Sequence, residues 1–443
     1  MKEKMDIFNI IKSKINYKSV SEMGWVFLGQ SISVILGFII IKIISQLGPE
    51  EYGVYALILT IAAFLGLFYG SFLQGFLRYY YHYKEKGLGN IFVKLMYKFL
   101  TLSVIVFILL TIIISIISPY FNITYSIIFF LIAGLFVIAS KFSEFFNSVL
   151  NLIRKRKENS LLQATEKSLM IAALLIFVYT ENLKLQAILL TFGIIAIILS
   201  FSKILTFKKH LPKEELVNKN SRIEHHREMT KTVLIYVSPF LIWAFAGWLQ
   251  LNGEKWILNG ILFVKDVGIY AIMMSLVNAL IVIPNNIINE FATPIIFKQF
   301  ADMQDFNNMK TGYIYIKINM LIIILITAFA TILTLFFGKD LITLISSKQY
   351  SVYWYLLPLL VLGTGLFYTG QAQTLLGLSL NQPKKYLSPK ISIGLGSVAL
   401  NLLMISRFGI NGIAYSVLLI GFIYVIYITV VNKQIITSHH IIK

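Results

Sequence analysis

Leu47-Gly48-Pro49-Glu50-Glu51-Tyr52-Gly53-Val54-Tyr55-Ala56 has a near copy in the second half of the chain, Lys265-Asp266-Val267-Gly268-Ile269-Tyr270-Ala271. In both, a short turn with acidic character leads into Gly-x-Tyr-Ala and then into an unbroken apolar run. Gly53 and Gly268 lie 215 residues apart in a chain of 443. Two halves that open a long apolar segment in the same way read as a duplicated membrane protein.

Composition agrees. Hydrophobic residues make up 57% of the chain and charged residues 13%, with a mean hydropathy of +0.78; soluble domains carry about 25% charge. A helix crossing a bilayer needs roughly 20 mainly apolar residues. Twelve such runs follow one another, at about 23–46, 53–77, 92–117, 123–150, 161–180, 184–205, 233–253, 266–289, 314–337, 353–379, 387–406 and 409–432. The expected architecture is an all-α integral membrane protein with two six-helix bundles, 23–205 and 233–432, joined by a polar cytoplasmic linker at 206–232. Because six is even, both halves share one orientation, so their pseudo-two-fold axis runs along the membrane normal.

The formal charge of +19 would suggest nucleic acid in a soluble protein. Here it follows topology, since Lys and Arg collect in cytoplasmic loops. With the N-terminus inside, 32 of the 39 Lys and Arg fall at the cytoplasmic side, six outside, and Lys42 within a span. That predicts a bacterial cytoplasmic membrane protein with both termini inside and no nucleic-acid partner. Residues 1–22 lack a cleavable apolar signal. Ile7, Phe8, Ile11 and Ile15 share one helical face, as expected of a helix lying on the inner membrane surface. Residues 433–443 form a short cytoplasmic tail.

A second correspondence supports duplication. Ser140 to Thr369, Glu144 to Gln373 and Lys155 to Lys384 are each separated by 229 residues. No glycine-rich phosphate loop is present, which argues against an ATP-hydrolysing module, and no His or Cys pattern has metal-ligand spacing. No cofactor is expected beyond H⁺ or Na⁺ as a coupling ion. What remains is helices, breaks and a few polar groups at membrane depth, where such groups are costly and tend to face a cavity.

The seventh run places Trp243, Gly247, Gln250 and Glu254 on one helical stripe and Trp248, Asn252 and Lys255 on the adjoining one. Indoles, amides and a charge pair suit sugar stacking and hydrogen bonding; an interfacial aromatic belt is the competing reading. Lys42 lies 11 residues before Gly53 and Lys255 lies 13 before Gly268, a matched pair of cations suited to a diphosphate, or else two lysines that snorkel to the surface. Ser140, Glu144, Asn147 and Asn151 form a stripe in the fourth run. Thr364, Tyr368 and Gln371 form one in the tenth. Both could line a wet cleft or hydrogen-bond helix to helix. Glu144 and Glu254 are the candidates for ion coupling.

The phrase Leu47–Tyr55, Arg78-Tyr79-Tyr80 after the second run, and Glu254-Lys255-Trp256-Ile257-Leu258 followed by Val267-Gly268-Ile269-Tyr270 resemble the corresponding segments of bacterial polysaccharide flippases of the Wzx type, in the multidrug/oligosaccharidyl-lipid/polysaccharide exporter superfamily. Glu-Lys stands here where Asp-Arg is more usual. The resemblance implies a V-shaped, MATE-like pair of six-helix bundles around a central cavity. It also implies a non-enzymatic flippase that moves undecaprenyl-diphosphate-linked oligosaccharide to the outer leaflet by alternating access. Lys42 and Lys255 would then meet the diphosphate, and Trp243, Trp248, Gln250, Asn252, Tyr368 and Gln371 the sugars, with Arg78 at the cytoplasmic entrance. Membrane lipids, a polysaccharide polymerase and glycosyltransferases are the implied partners. The alternatives are a cation-coupled multidrug exporter of the same fold and a membrane glycosyltransferase or polymerase.

Overall fold

The computed structural model describes residues 17–117, 125–210, 219–300 and 306–438. The amphipathic stretch expected at Ile7–Ile15 lies outside them, as do the centre of the 206–232 segment and the end of the C-terminal tail. The described chain is helical throughout, and each expected apolar run falls on one helix or on abutting helical segments. These are α1 (Tyr17–Ile44), α2 (Pro49–Glu85), α3 (Gly89–Ile117), α4 (Ile127–Leu152), α5 (Arg156–Tyr179), α6 (Leu185–Lys208) and α7 (Lys219–Ile261). They continue with α8 (Val264–Val277), α9 (Ile283–Gln299), α10 (Phe306–Ile345), α11 (Leu357–Gln373), the short α12 (Leu375–Ser379), α13 (Leu387–Phe408) and α14 (Ile410–Ser438). Among the described residues, eleven helical stretches are long and apolar enough to cross a membrane, and Ser31–Leu47 adds a shorter apolar helix. The chain is a multi-pass membrane protein.

Local chemistry sets the helix ends. Gly48 adopts φ +91° and hands the chain to Pro49 at the start of α2, the pairing expected where one helix stops and another starts. The Ser126 hydroxyl accepts from the Phe129 amide to cap α4, and the Asp266 carboxylate accepts from the Phe263 amide at the start of α8. Gly409 (φ +58°) separates α13 from α14. A π-turn at Asn278–Val282 joins α8 to α9 just before Pro284. The 206–232 segment is shorter as a linker than the charge pattern suggests, because α6 runs on through Lys208 and α7 already begins at Lys219.

Packing divides the chain into two compact units. The first holds Met1–Ile43 and Leu65–Pro239, the second Ile44–Phe64 and Phe240–Lys443. The N-terminal part of α2, up to Phe64, therefore groups with second-half helices, and the duplicated phrase explains why. A Cβ on Gly53 would sit 2.0 Å from the Val264 carbonyl oxygen, and one on Gly268 would sit 2.0 Å from that of Pro49. Each glycine meets the carbonyl four residues ahead of the other, so α2 and α8 cross backbone to backbone. Tyr52 packs edge-on against Tyr55 and Tyr350, and the Tyr350 hydroxyl donates to the Ser45 carbonyl at 3.0 Å.

Within each unit the repeat shows again. In the first, α4 packs extensively on α6, with Gly193 against the Phe136 backbone. In the second, α11 packs on α14, with Gly421 against the Gly363 carbonyl. A methyl group at the Gly53–Gly268 crossing would have to displace backbone. Gly53→Ala and Gly268→Ala are each expected to destabilise the protein by about 1–3 kcal/mol, the range for overpacking. Gly260→Ala, with nothing within 4 Å of the added carbon, should be neutral or stabilising by up to about 1 kcal/mol through helix propensity. Thermal unfolding of the purified chain in detergent measures all three; equal melting temperatures would refute the crossing as a structural constraint.

Candidate functional site

In the second unit, two buried polar stripes face each other. On α7 the stripe is Trp243, Gly247, Gln250 and Glu254, as the sequence predicts. On α13 it is Lys390, Gly394, Ser397 and Asn401, at the same spacing of four, seven and eleven residues. Small residues bring the two helices together. A Cβ on Gly394 would lie 2.8 Å from the Ala246 carbonyl oxygen, one on Gly247 3.9 Å from Lys390 Cε, and one on Gly253 3.9 Å from Val398 Cγ2. These contacts advance along both helices together, so α7 and α13 run in the same direction with their polar residues in register.

The seam is not self-satisfied. Gln250 is buried with its carbonyl oxygen unbonded, and Asn401 is fully buried with neither amide atom bonded, among the described residues. A buried polar group left in that state costs about 1–3 kcal/mol, and in native proteins such groups mark strain, chemistry or ligand contact. At the N-terminal end of the two stripes, Lys390 is 7% exposed, and its ammonium lies 5.8 Å from the Trp243 ring centre and 5.1 Å from that of Phe367. Cation–π attraction is worth about 0.5–2 kcal/mol per ring, short of the several kcal/mol needed to take an ammonium out of water. At the C-terminal end of the α7 stripe, Glu254 is 4% exposed and accepts a short hydrogen bond from the Tyr270 hydroxyl. Tyr270 belongs to the Gly-Ile-Tyr-Ala phrase, so the repeat motif fixes the carboxylate of the seam.

The other candidates fall as follows. Trp248 donates its indole N–H to the Thr60 carbonyl at 3.0 Å and packs edge-on against Phe64, and Trp256 donates to the Thr60 hydroxyl at 2.8 Å. The indole N–H of Trp248 is thus spent on α2. Asn252, Lys255, Tyr368 and Gln371 are half-buried. Tyr368 packs beside Phe367, in contact with the core that contains Tyr386 and Tyr424. Gln373 in α11 and Asn432 in α14 are hydrogen-bonded helix to helix: Thr429 donates to the Gln373 side chain, and Asn432 to its carbonyl.

The first unit is described by itself. Lys42 is exposed in the last turn of α1, and Arg78 is exposed on α2. Glu144 is exposed and paired with Lys141; both border a cavity of about 60 Å³ with Gly66, Tyr69, Gly70 and Ser148. Asn147 and Asn151 accept hydrogen bonds from the buried Asn159 amide, so the lower part of that stripe binds α4 to α5. A larger cavity of about 530 Å³ between α3, α4 and α6 is lined by Ile108, Leu135, Phe142 and Phe201 among others and holds no charged group. It suits a lipid chain, not a polar head.

Two features escaped the sequence reading. Lys203, one of the 32 Lys and Arg assigned to the cytoplasmic side, is completely buried in α6, 2.6 Å from the Glu166 carboxylate and bonded to the Ser143 hydroxyl, which itself donates to Glu166. Next to Glu166, Lys167 donates to the Ser33 carbonyl of α1 at 2.6 Å. No local signal joins Ser143, Glu166 and Lys203, which come from three helices. The α13 stripe, by contrast, was legible in its spacing. Removing one member of the buried pair strands the other: Lys203→Met or Glu166→Gln alone is expected to cost about 3–5 kcal/mol, and Lys203→Met with Glu166→Leu to recover most of it. Melting temperatures of the three variants test this; an additive double variant would refute the coupling.

No curated protein matches the sequence. Among solved structures, the fold is similar to the lipid II flippase MurJ in an inward closed conformation, with TM-score 0.67 and 14% identity over 94% of this chain and 87% of that one. It is also similar to an inward-facing multidrug resistance MATE family transporter of the MOP superfamily, with TM-score 0.64 and 14% identity over 92% and 99%. A MATE in complex with MaD3S gives TM-score 0.59 and 15% identity over 94% and 95%. At such identities the likeness shows the fold alone. Residues 19–300 match the family model described as polysaccharide biosynthesis protein, and with well over half its length covered the chain belongs to that family.

Proposed function

We propose that the protein is a flippase that carries undecaprenyl-diphosphate-linked oligosaccharide from the cytoplasmic to the outer leaflet of a bacterial cytoplasmic membrane. The observation that carries the reading is the buried seam of unbonded amides, an aromatic face and an ammonium along α7 and α13, in a chain of the polysaccharide biosynthesis family. Taking a charged diphosphate and several sugars through bare hydrocarbon costs on the order of tens of kcal/mol. A carrier must replace the lost water with side chains that hydrogen-bond and neutralise, while the prenyl tail stays in lipid.

Within this reading the chain works by alternating access, with both termini in the cytoplasm, where its Lys and Arg excess would place them. Its two halves form two bundles, 23–205 and 233–432. Lys42 and Lys255 meet the diphosphate as it passes, and Arg78 attracts it at the cytoplasmic entrance. Trp243, Gln250, Asn252, Tyr368 and Gln371 meet the sugars. Trp248 offers only a ring face, its N–H being bonded to Thr60. Glu254, held by Tyr270, is better enclosed for H⁺ or Na⁺ coupling than the exposed Glu144. The glycosyltransferases that build the headgroup and a polymerase that lengthens it are the partners upstream and downstream.

Reconstitution into proteoliposomes tests the proposal. The purified chain should expose the headgroup of undecaprenyl-diphosphate-linked oligosaccharide to an external, membrane-impermeant oxidant. Lys42→Ala with Lys255→Ala should slow that exposure by about tenfold or more, the loss expected for a charged hydrogen bond. Ethidium efflux without headgroup movement would establish an exporter instead, and new glycosidic bonds made by the pure protein would establish a transferase. Unchanged rates in the double variant would remove the two lysines from the path.

A further inference from the structure

We propose that Lys390 is an anion-binding residue, its ammonium taking a phosphate or carboxylate oxygen of the carried headgroup while the neighbouring Trp243 ring takes the adjoining sugar. This rests on the transport reading above and adds a fourth cation to Lys42, Lys255 and Arg78.

The geometry is that of a cation without a counter-charge. Lys390 Nζ lies between the faces of Trp243 and Phe367. Among the described residues no carboxylate pairs with it, whereas the equally buried Lys203 has Glu166 at 2.6 Å. Along the same seam Gln250, Ser397 and Asn401 are neutral, and the carboxylate Glu254 stands at the opposite end, eleven residues along α7 from Trp243, engaged by the Tyr270 hydroxyl. Rings hold an ammonium through their π-faces and take up none of its three N–H donors in conventional hydrogen bonds. Gly247 leaves the lysine stem unobstructed, since even a methyl group there would stand 3.9 Å from Cε.

The surroundings specify the ligand. Trp243 and Tyr368 are half-buried, so each keeps part of a ring open, and an indole face packs well against the C–H side of a sugar. An ammonium next to such a face suits a sugar bearing an anion close to its ring. Two moieties of a lipid-linked glycan have that chemistry: the glycosyl diphosphate at its reducing end and the carboxylate of an acidic sugar. A purely structural lysine would have been placed beside a carboxylate or at the surface, because an unpaired buried charge lowers stability.

Binding to the full chain in nanodiscs of neutral phosphatidylcholine tests this with undecaprenyl diphosphate, undecaprenyl glucuronide and undecaprenol as probes. The wild type should prefer at least one anionic lipid over undecaprenol by about tenfold. Lys390→Met should abolish that preference, and Lys390→Arg should keep most of it. Lys390→Met should also melt at the same temperature as the wild type or above it, since it removes a buried charge and keeps the volume. Loss of the diphosphate preference assigns the site to the diphosphate, and loss of the glucuronide preference alone assigns it to an acidic sugar; both support an anion site. Unchanged preferences in Lys390→Met overturn the proposal and leave the flippase reading standing. A wild type that ignores both anions and effluxes ethidium overturns both.

Discussion

The reciprocal contact of Gly53 with the Val264 carbonyl and Gly268 with the Pro49 carbonyl is the constraint on which the second unit is built. Apolar helices in lipid gain little from hydrophobic burial against one another; they associate through close packing and weak polar contacts where small residues let backbones touch. Here each copy of the duplicated phrase supplies both halves of the contact, a glycine without a Cβ and, four residues earlier, a first-turn carbonyl. Once α2 and α8 are joined in this way, Tyr270 on the turn after Gly268 is placed to donate to Glu254, and Thr60 two turns after Gly53 is placed to accept from Trp248 and Trp256. The motif thus positions the Glu254 end of the polar seam.

The two buried lysines among the described residues, one in each unit, differ in what surrounds them. Lys203 is matched by Glu166 and Ser143, with every polar neighbour engaged, and serves cohesion of α4, α5 and α6. Lys390 is set among rings and neutral amides. The difference is one of magnitude: a close carboxylate largely offsets the desolvation of an ammonium, and aromatic faces offset only part. A chain keeps the less stable arrangement where a passing group completes it.

The fold was legible because its determinants are local. Apolar runs of about 20 residues fix helices in a bilayer, and the Gly-x-Tyr-Ala repeat fixes where each half begins. The α7 stripe was legible for the same reason, being a periodicity within one helix. What the sequence hid was pairing between helices. Lys203 reads as one more cytoplasmic cation until α4 and α5 bring Ser143 and Glu166 to it. Nothing near Trp248 in the sequence shows that its indole N–H is taken by Thr60, 188 residues away. For Asn147 and Asn151 the sequence leaves cleft lining and helix-to-helix bonding open, and Asn159 bonds to both.

One consequence separates the two kinds of polar residue at membrane depth. Those bonded helix to helix, such as Gln373 and Asn432, have their hydrogen-bonding demand met inside the fold, and their loss should act on stability first. Unmet demand also occurs singly elsewhere, at Tyr69, Ser71 and Asn319 among others. Gln250, Asn401 and Lys390 differ in lying along one seam of the second unit, in a register set by Gly394 against Ala246. Three such groups on two facing stripes, between helices whose small residues hold them together, are the feature on which the proposed transport path rests.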